Sequence, residues 1–198
     1  TMKNLLLATA TVATLQLSLA NDAEAAQIKK VNFTSNNQNL VGNLYLPDDY
    51  QEETKLPGVV VTGAWTTVKE QMPATYAEEL ADRGYAVLAF DFRNWGESGG
   101  KERQLENPAN KTQDIIAAAN YLTTRSEVDG NKIAGLGICA SAGYMADAAV
   151  QSEDIKAISL VAPWLHNREI VNEVYSGAES VQSLIDTSRK AQAKYEAT

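Results

Sequence analysis

The chain has 198 residues, 44% of them hydrophobic and 21% charged, which is the composition of an ordinary globular protein of about one domain. Its 17 basic and 25 acidic residues give a formal net charge of −8, which disfavours binding to nucleic acid and to anionic membrane surfaces. One cysteine cannot form an internal disulfide, and one cysteine with one histidine falls short of a usual zinc site. The sequence therefore predicts a domain held by its hydrophobic core, with no metal and no cofactor.

The first residues have the pattern of a secretory signal peptide. Met2 and Lys3 form a short basic start, and Leu5 to Ala20 is apolar but lacks the roughly 20 strongly apolar residues of a membrane-spanning helix. Small residues precede several alternative cleavage points, and we place the cut after Ala26. We expect residues 1–26 to be removed and the mature protein to be exported, to the periplasm or the medium, without a membrane span.

Residues 27–198 alternate strand and helix patterns. Alternation predicts an antiparallel hairpin at a sheet edge, and apolar runs predict central parallel strands with helices between them. Such units form right-handed crossovers, so the predicted fold is an α/β, doubly wound, mostly parallel sheet with its chemistry at the carboxyl ends of the strands. The predicted strands are Ile28–Phe33, Leu40–Leu46, Leu56–Thr62, Tyr85–Phe90, Lys132–Ile138 and Ile155–Val161. The predicted helices run between Pro73 and Gly84, from Pro108 past Leu122, over Gly143–Val150 and over Ser180–Ala197.

Two glycine-rich junctions have some features of nucleotide-binding loops. The loop from Trp95 to Lys101 lacks the first glycine of a phosphate-binding loop, and Glu102 stands where that motif needs Ser or Thr. The segment Gly135–Ala140 matches a dinucleotide-binding pattern, but its strand would have to end by Ala134 and the next strand ends without an acidic residue. Neither junction favours nucleotide binding over the alternative below.

The same segment fits a nucleophile elbow, a strained strand-to-helix turn with small residues two before and two after the nucleophile. The spacing admits Cys139, between Gly137 and Ser141, and it also admits Ser141, between Cys139 and Gly143. We favour Cys139, because the bulky Tyr144 would fall in the crowded turn if Ser141 were the nucleophile. The following helix N-terminus would stabilise negative charge there. A plain buried cysteine and a serine nucleophile remain as alternatives.

These motifs resemble those of the α/β hydrolases. The elbow is joined by a G-A-W turn at Gly63 to Trp65 and by a D-F-R-N-W-G-E-S-G-G loop at Asp91 to Gly100. The sequence is most similar to dienelactone-hydrolase-like bacterial hydrolases with a cysteine elbow, some of which carry a V-K-E-Q stretch, here Val68 to Gln71. The resemblance extends from about Lys30 to the chain end.

The resemblance implies an oxyanion hole and assigns the long loop an architectural role. Backbone N–H groups of Ala140 and of either Ala64 or Trp65 would hold the charge that develops on a carbonyl oxygen under attack. Asp91 and Arg93 would form an ion pair that braces the loop.

The sequence also departs from the family pattern. The family has eight strands and places its triad acid and histidine in loops after the later ones, whereas this sequence predicts six strands. We therefore expect a hydrolase fold without its last strands. The one histidine, His166, is a candidate base, although the stretch Pro163 to His166 fits a pocket wall better. Trp65, Trp95 and Trp164 follow strand ends and are candidates to line an apolar pocket.

The resulting hypothesis is an exported hydrolase that cleaves a small-molecule ester, thioester or lactone through a covalent acyl-enzyme on Cys139. Two alternatives stay open. One is a non-catalytic binding module with a truncated or degenerate hydrolase fold. The other is a serine esterase or peptidase that uses Ser141.

Overall fold

The computed structural model describes residues 26–197, which form a six-stranded sheet flanked by helices. The strands are β1 (Gln27–Ser35), β2 (Gln38–Leu46), β3 (Leu56–Thr62), β4 (Ala86–Phe90), β5 (Val128–Ile138) and β6 (Ile155–Val161). The helices are α1 (Met72–Ala81), α2 (Pro108–Thr123), α3 (Ser141–Gln151), α4 (Arg168–Val174) and α5 (Ala178–Glu196). Apart from Ala26, the predicted signal peptide lies outside the described residues and stays a prediction.

The sheet order is β1-β2-β4-β3-β5-β6. Strands β1 and β2 pair antiparallel, β2 pairs antiparallel with β4, and β3, β4, β5 and β6 run parallel. Helices α2 and α3 pack on one face of the sheet over one hydrophobic cluster. Helix α1 packs on the other face over a second cluster. The predicted mostly parallel α/β sheet is confirmed.

Two asparagines form the turn of the β1–β2 hairpin. Asn36 and Asn37 have φ of 44° and 63°, a left-handed conformation that asparagine tolerates better than most residues. Ser35 and Gln38 close the turn as paired residues. Phe33 then packs against the rings of Phe90 and Tyr121 on the α2 side of the sheet.

Helix α2 begins as its sequence predicts. The Asn107 side chain accepts a hydrogen bond from the Asn110 N–H at 3.0 Å, and Pro108 occupies the first turn. Ile115, Ala119 and Leu122 are fully buried, so the apolar face covers the sheet.

Strand β6 is not central, contrary to its apolar pattern. In the described chain it pairs only with β5 and lies at the sheet edge, and Ile158 is 41% exposed. Apolar composition predicted burial on both faces, but residues 156–159 of this edge strand are all exposed. Several boundaries also differ by a few residues, and the largest shift is at β5, which begins at Val128 and not at Lys132.

The loop after β4 is braced by ion pairs other than the predicted Asp91–Arg93 pair. Asp91 binds Lys69 at 2.9 Å, whereas Arg93 Nη2 binds Asp114 of α2 at 2.5 Å. The prediction that Trp95 lines a pocket is also wrong, since its side chain is 8% exposed and packs in the core. Its indole N–H donates to the carbonyl oxygen of Leu105 at 3.2 Å, which turns the ring inward.

Among residues 26–197, no helix has the length and apolar character needed to cross a membrane.

Candidate active site

Cys139 occupies the turn between β5 and α3 in a left-handed backbone conformation, with φ of 56°. Its N–H donates to the Val161 carbonyl oxygen at 3.0 Å, and its carbonyl oxygen accepts from the Trp164 N–H at 3.0 Å. Both partners lie at or just after the end of β6. The edge strand therefore holds the turn, and the Cys139 side chain is only partly buried.

The elbow needs a small residue two positions before Cys139. A Cβ atom at Gly137 would lie 2.8 Å from the Cβ of Met145 and 2.8 Å from the carbonyl oxygen of Ser141, so α3 packs directly on this position. Gly143 is different, because a Cβ there would meet only Leu165 at 3.4 Å.

Ser141 is the first residue of α3 and is 2% exposed. Its hydroxyl donates a hydrogen bond to the carbonyl oxygen of Gly63, the residue directly after β3. Of the two candidates, Cys139 thus has the elbow conformation, while Ser141 is buried and already bonded.

The turn after β3 lies on the same rim of the sheet as Cys139. Strands β3 and β5 are parallel neighbours, with Thr62 opposite Gly137. The turn is tight, since the N–H and the Oγ1 hydroxyl of Thr67 both donate to the Ala64 carbonyl oxygen, at 3.2 and 2.7 Å. Thr66 takes a left-handed φ of 66° within it.

Three backbone N–H groups lie on this rim without a hydrogen-bond partner in the described part of the chain. Within residues 26–197, the N–H groups of Ala64, Trp65 and Ala140 donate no hydrogen bond to the protein. These are the residues that the resemblance assigned to an oxyanion hole.

A cavity of about 530 Å³ opens beside the elbow, bordered by both Trp65 and Ala140. Its further apolar lining includes Pro108, Trp164 and Leu165. Trp65 and Trp164 are 59% and 50% exposed, so both indoles are available to an apolar ligand.

His166 also lines this cavity, as part of the wall predicted over Pro163 to His166. Its ring makes an edge contact with Trp164, with 4.9 Å between ring centroids. Within the described chain, the Cys139 thiol has no hydrogen-bond partner, and His166 is therefore not bonded to it.

Two polar side chains, those of Tyr144 and Glu106, also line the cavity, and Lys111 binds one of them to form a polar cluster. The Tyr144 hydroxyl donates to Glu106 Oε1 at 2.8 Å, and Lys111 Nζ donates to Glu106 Oε2 at 2.7 Å. Burial and the bond to Glu106 raise the pKa of Tyr144, so its hydroxyl keeps its proton at neutral pH. Burial lowers the pKa of Lys111, with Glu106 opposing that shift.

A second polar cluster surrounds Lys69, whose side chain is 1% exposed. Its ammonium contacts Asp91 at 2.9 Å, Glu97 at 2.6 Å and Glu70 at 2.5 Å. Burial would lower the pKa of Lys69, but the bonds to Glu70, Glu97 and Asp91 outweigh it and raise the pKa. These carboxylates are the one set with metal-site spacing among the described residues, and the Lys69 ammonium stands among them.

Sequence reasoning did not predict either cluster. In the sequence Lys69 is recognised only as part of the V-K-E-Q stretch, and no motif marks Glu106. One signal was present, because Asp91 directly follows the fully apolar β4 and so must lie buried near the sheet rim with a cationic partner.

The sheet order and the elbow define the class of protein. Solved α/β-hydrolase structures, one of them dienelactone hydrolase-like, share the fold with TM-scores of 0.69 and 0.59, at 18% and 24% identity. The predicted resemblance to α/β hydrolases is confirmed. Within this class, the family model described as X-Pro dipeptidyl-peptidase (S15 family) matches residues 37–194, and the chain belongs to that family.

Individual proteins are also similar to this chain. The uncharacterized protein YcjY of Escherichia coli K12 is 45% identical over 136 residues, which cover 67% of this chain and 44% of YcjY. Thiohydrolase aneE of Aspergillus aculeatus is 30% identical over 146 residues, 73% of this chain and 44% of aneE. The crystal structure of hypothetical protein PA2218 from Pseudomonas aeruginosa aligns with a TM-score of 0.77 at 27% identity, over 99% of this chain and 60% of that one. The chain thus spans about half the length of the proteins it matches.

Proposed function

We propose that the protein is a hydrolase that cleaves small-molecule esters, thioesters or lactones, with Cys139 as nucleophile. The observation that carries the proposal is the left-handed backbone of Cys139 at a strand-to-helix turn. A non-glycine residue in this conformation costs about 1–3 kcal/mol, and such residues are enriched at active sites. Here it sits beside a cavity and three free N–H groups.

The proposed reaction is acyl transfer to sulfur. The Cys139 thiolate attacks the carbonyl carbon, and the carbonyl π electrons move onto oxygen as the S–C bond forms. The N–H of Ala140 and that of Ala64 or Trp65 bind this oxyanion. When the oxyanion collapses, the bond to the alcohol or thiol breaks and that group leaves with the electron pair, taking up a proton. Water then hydrolyses the S-acyl group, which releases a carboxylic acid and regenerates the Cys139 thiol.

Two further features support this assignment. The cavity next to Ala140 is lined in part by the indoles of Trp65 and Trp164, which suit an apolar acyl chain or ring. A relative, aneE, is named a thiohydrolase, which is consistent with a thioester substrate. We assign His166 to the cavity wall rather than to catalysis, because it packs on Trp164.

A non-catalytic binding module is the second candidate. It is favoured by the Cys139 thiol, which lacks a hydrogen-bonded base among the described residues. A serine hydrolase is disfavoured, because the buried Ser141 hydroxyl is bonded to Gly63.

We also place the protein outside the cytoplasm, on the pattern of residues 1–26. N-terminal sequencing of the exported protein should begin at Gln27, and an exported protein that retains residues 1–20 would contradict this placement.

The acyl-enzyme is the direct test of function. The chain is incubated with p-nitrophenyl acetate in mildly alkaline buffer, and its mass and peptide map are recorded. One acetyl group on Cys139 is expected in the wild type, and none at this position in Cys139→Ala. If the folded wild type takes up no acetyl group, the binding-module alternative replaces the hydrolase. If the acetyl group is found on Ser141, the serine-hydrolase alternative replaces the proposed cysteine hydrolase.

A further inference from the structure

The turn that carries the proposed oxyanion donors is fastened at both ends to neighbouring elements. At one end the Ser141 hydroxyl of α3 donates to the carbonyl oxygen of Gly63. At the other end, both the backbone and the side chain of Lys69 bind Asp91, which directly follows β4. The donors Ala64 and Trp65 lie between these two attachments.

The attachment at Asp91 is two-pronged. The Lys69 N–H donates to Asp91 Oδ1 at 2.8 Å, and its ammonium donates to Asp91 Oδ2 at 2.9 Å. Glu97 N–H adds a third bond to Asp91 Oδ2, at 2.9 Å. The side chain of Asp91 is fully buried, and a Cβ at Gly96, which has a φ of 47°, would collide with it. The carboxylate therefore cannot shift without moving both loops.

The geometry points to Lys69 as a positioning residue for residues 63–69, the turn that carries the proposed oxyanion donors. By binding Asp91, Lys69 fixes the directions of the Ala64 and Trp65 N–H groups. The ammonium is saturated by Asp91, Glu97 and Glu70, so it has no donor left for a ligand. Lys69 thus acts through the turn and does not touch the substrate. This inference rests on the proposed acyl transfer to Cys139.

Two reactions of Cys139 separate positioning from general stability. Alkylation by iodoacetamide is a displacement at a saturated carbon, in which iodide leaves and no oxyanion forms. Acetylation by p-nitrophenyl acetate proceeds through an oxyanion, and p-nitrophenolate leaves. A displaced turn should slow only the second reaction, whereas a loosened elbow should change both.

The test compares the two rates in Lys69→Met and in the double variant Lys69→Met/Asp91→Asn. The double variant leaves no unpaired buried carboxylate, so it decides the question if the single variant fails to fold. Arg83→Met is the matched control, because Arg83 forms an exposed ion pair with Glu79 of α1 and does not touch the turn.

We expect acetylation to fall by about 10- to 100-fold in the Lys69 variants, with alkylation unchanged and with both rates unchanged in Arg83→Met. A folded double variant with unchanged acetylation, or with both rates altered in proportion, would overturn the inference alone. A wild-type chain that is alkylated but never acetylated on Cys139 would overturn the proposed function, and this inference with it.

Discussion

At the scale of single residues, the backbone of Cys139 carries the proposed chemistry. Its φ of 56° is held by hydrogen bonds to Val161 and Trp164, which follow from the pairing of β5 with β6. A left-handed conformation costs a non-glycine residue free energy that glycine does not pay. The strain at this turn can therefore be measured by substitution.

Cys139→Gly should be more stable than Cys139→Ala by about 1 kcal/mol, because glycine adopts this φ without a Cβ clash. Urea unfolding of the two variants measures the difference. Equal midpoints, or a more stable alanine variant, would show that the turn is unstrained.

Gly137→Ala should lower the free energy of unfolding by about 1–3 kcal/mol, because the added Cβ would meet Met145 and the Ser141 carbonyl oxygen, each at 2.8 Å. Gly143→Ala is the matched control and should not lower the free energy of unfolding, since its Cβ would meet only Leu165, at 3.4 Å, and alanine is favoured over glycine in a helix by about 1 kcal/mol. The two variants are compared in urea. Equal losses would mean that α3 does not pack on the elbow as described.

These residues show what sequence reasoning can reach. The position of Cys139 in the turn was predictable because steric demand is local, and small residues at fixed spacing reveal it. The partners of Lys69 and Arg93 were not predictable, since Asp91 and Asp114 lie 22 and 21 residues away along the chain. Several acidic residues could have served equally well by charge alone.

At the scale of elements, Glu127 links β1 to the start of β5. Its carboxylate accepts hydrogen bonds from Lys29 and Arg125, both at 3.1 Å, and its backbone oxygen accepts from the Leu56 N–H at 2.9 Å. Burial would raise the pKa of Glu127, but its own N–H and the side chains of Arg125, Lys29 and Ser126 outweigh burial and hold the pKa at about 2.

The stability contributed by Glu127 should depend on pH. Because its pKa is lower in the folded chain than its ordinary value of 4.5, the contribution is complete above pH 4.5 and disappears as the pH falls towards 2. Glu127→Gln should lose about 1–3 kcal/mol at pH 7 and show a shallower loss of stability over this acidic range. Urea titrations at several pH values measure both. A variant whose stability changes with pH as steeply as the wild type's would refute the assignment.

The elements themselves were largely predictable, with instructive exceptions. The hairpin, α2 and the parallel strands follow from periodicity and from the residues at their ends. Strand β6 shows the limit, because its apolar run predicted a central strand while the sheet order leaves it at the edge of the described sheet. The exposure of Ile158 is thus a property of topology and not of local sequence.

At the scale of the whole molecule, the fold brings the elbow, the free N–H groups and the aromatic cavity to one rim of the sheet. That convergence was predictable, because parallel strands end at a common edge. The cavity lining was only partly predictable, since Trp65 and Trp164 face the cavity while Trp95 fills the core. Side-chain direction in loops depends on packing that the chain pattern does not encode.

Turnover of p-nitrophenyl acetate by residues 1–198 should be close to background, since no base among the described residues is hydrogen-bonded to the Cys139 thiol and a nucleophile without its base loses on the order of a million-fold of rate. His166→Ala should leave the residual rate unchanged, because His166 packs on Trp164 and makes no bond to Cys139. Steady-state release of p-nitrophenolate measures both. Brisk turnover that His166→Ala abolishes would instead make His166 the general base.

The most direct test of the central claim, that Cys139 and not Ser141 is the reactive residue, is paired labelling of the folded chain. One sample is treated with iodoacetamide and another with a fluorophosphonate, and both are mapped by mass spectrometry. We predict carboxamidomethylation of Cys139 under native conditions and no phosphonylation of Ser141. Labelling of Cys139 only after denaturation, together with native phosphonylation of Ser141, would contradict the assignment.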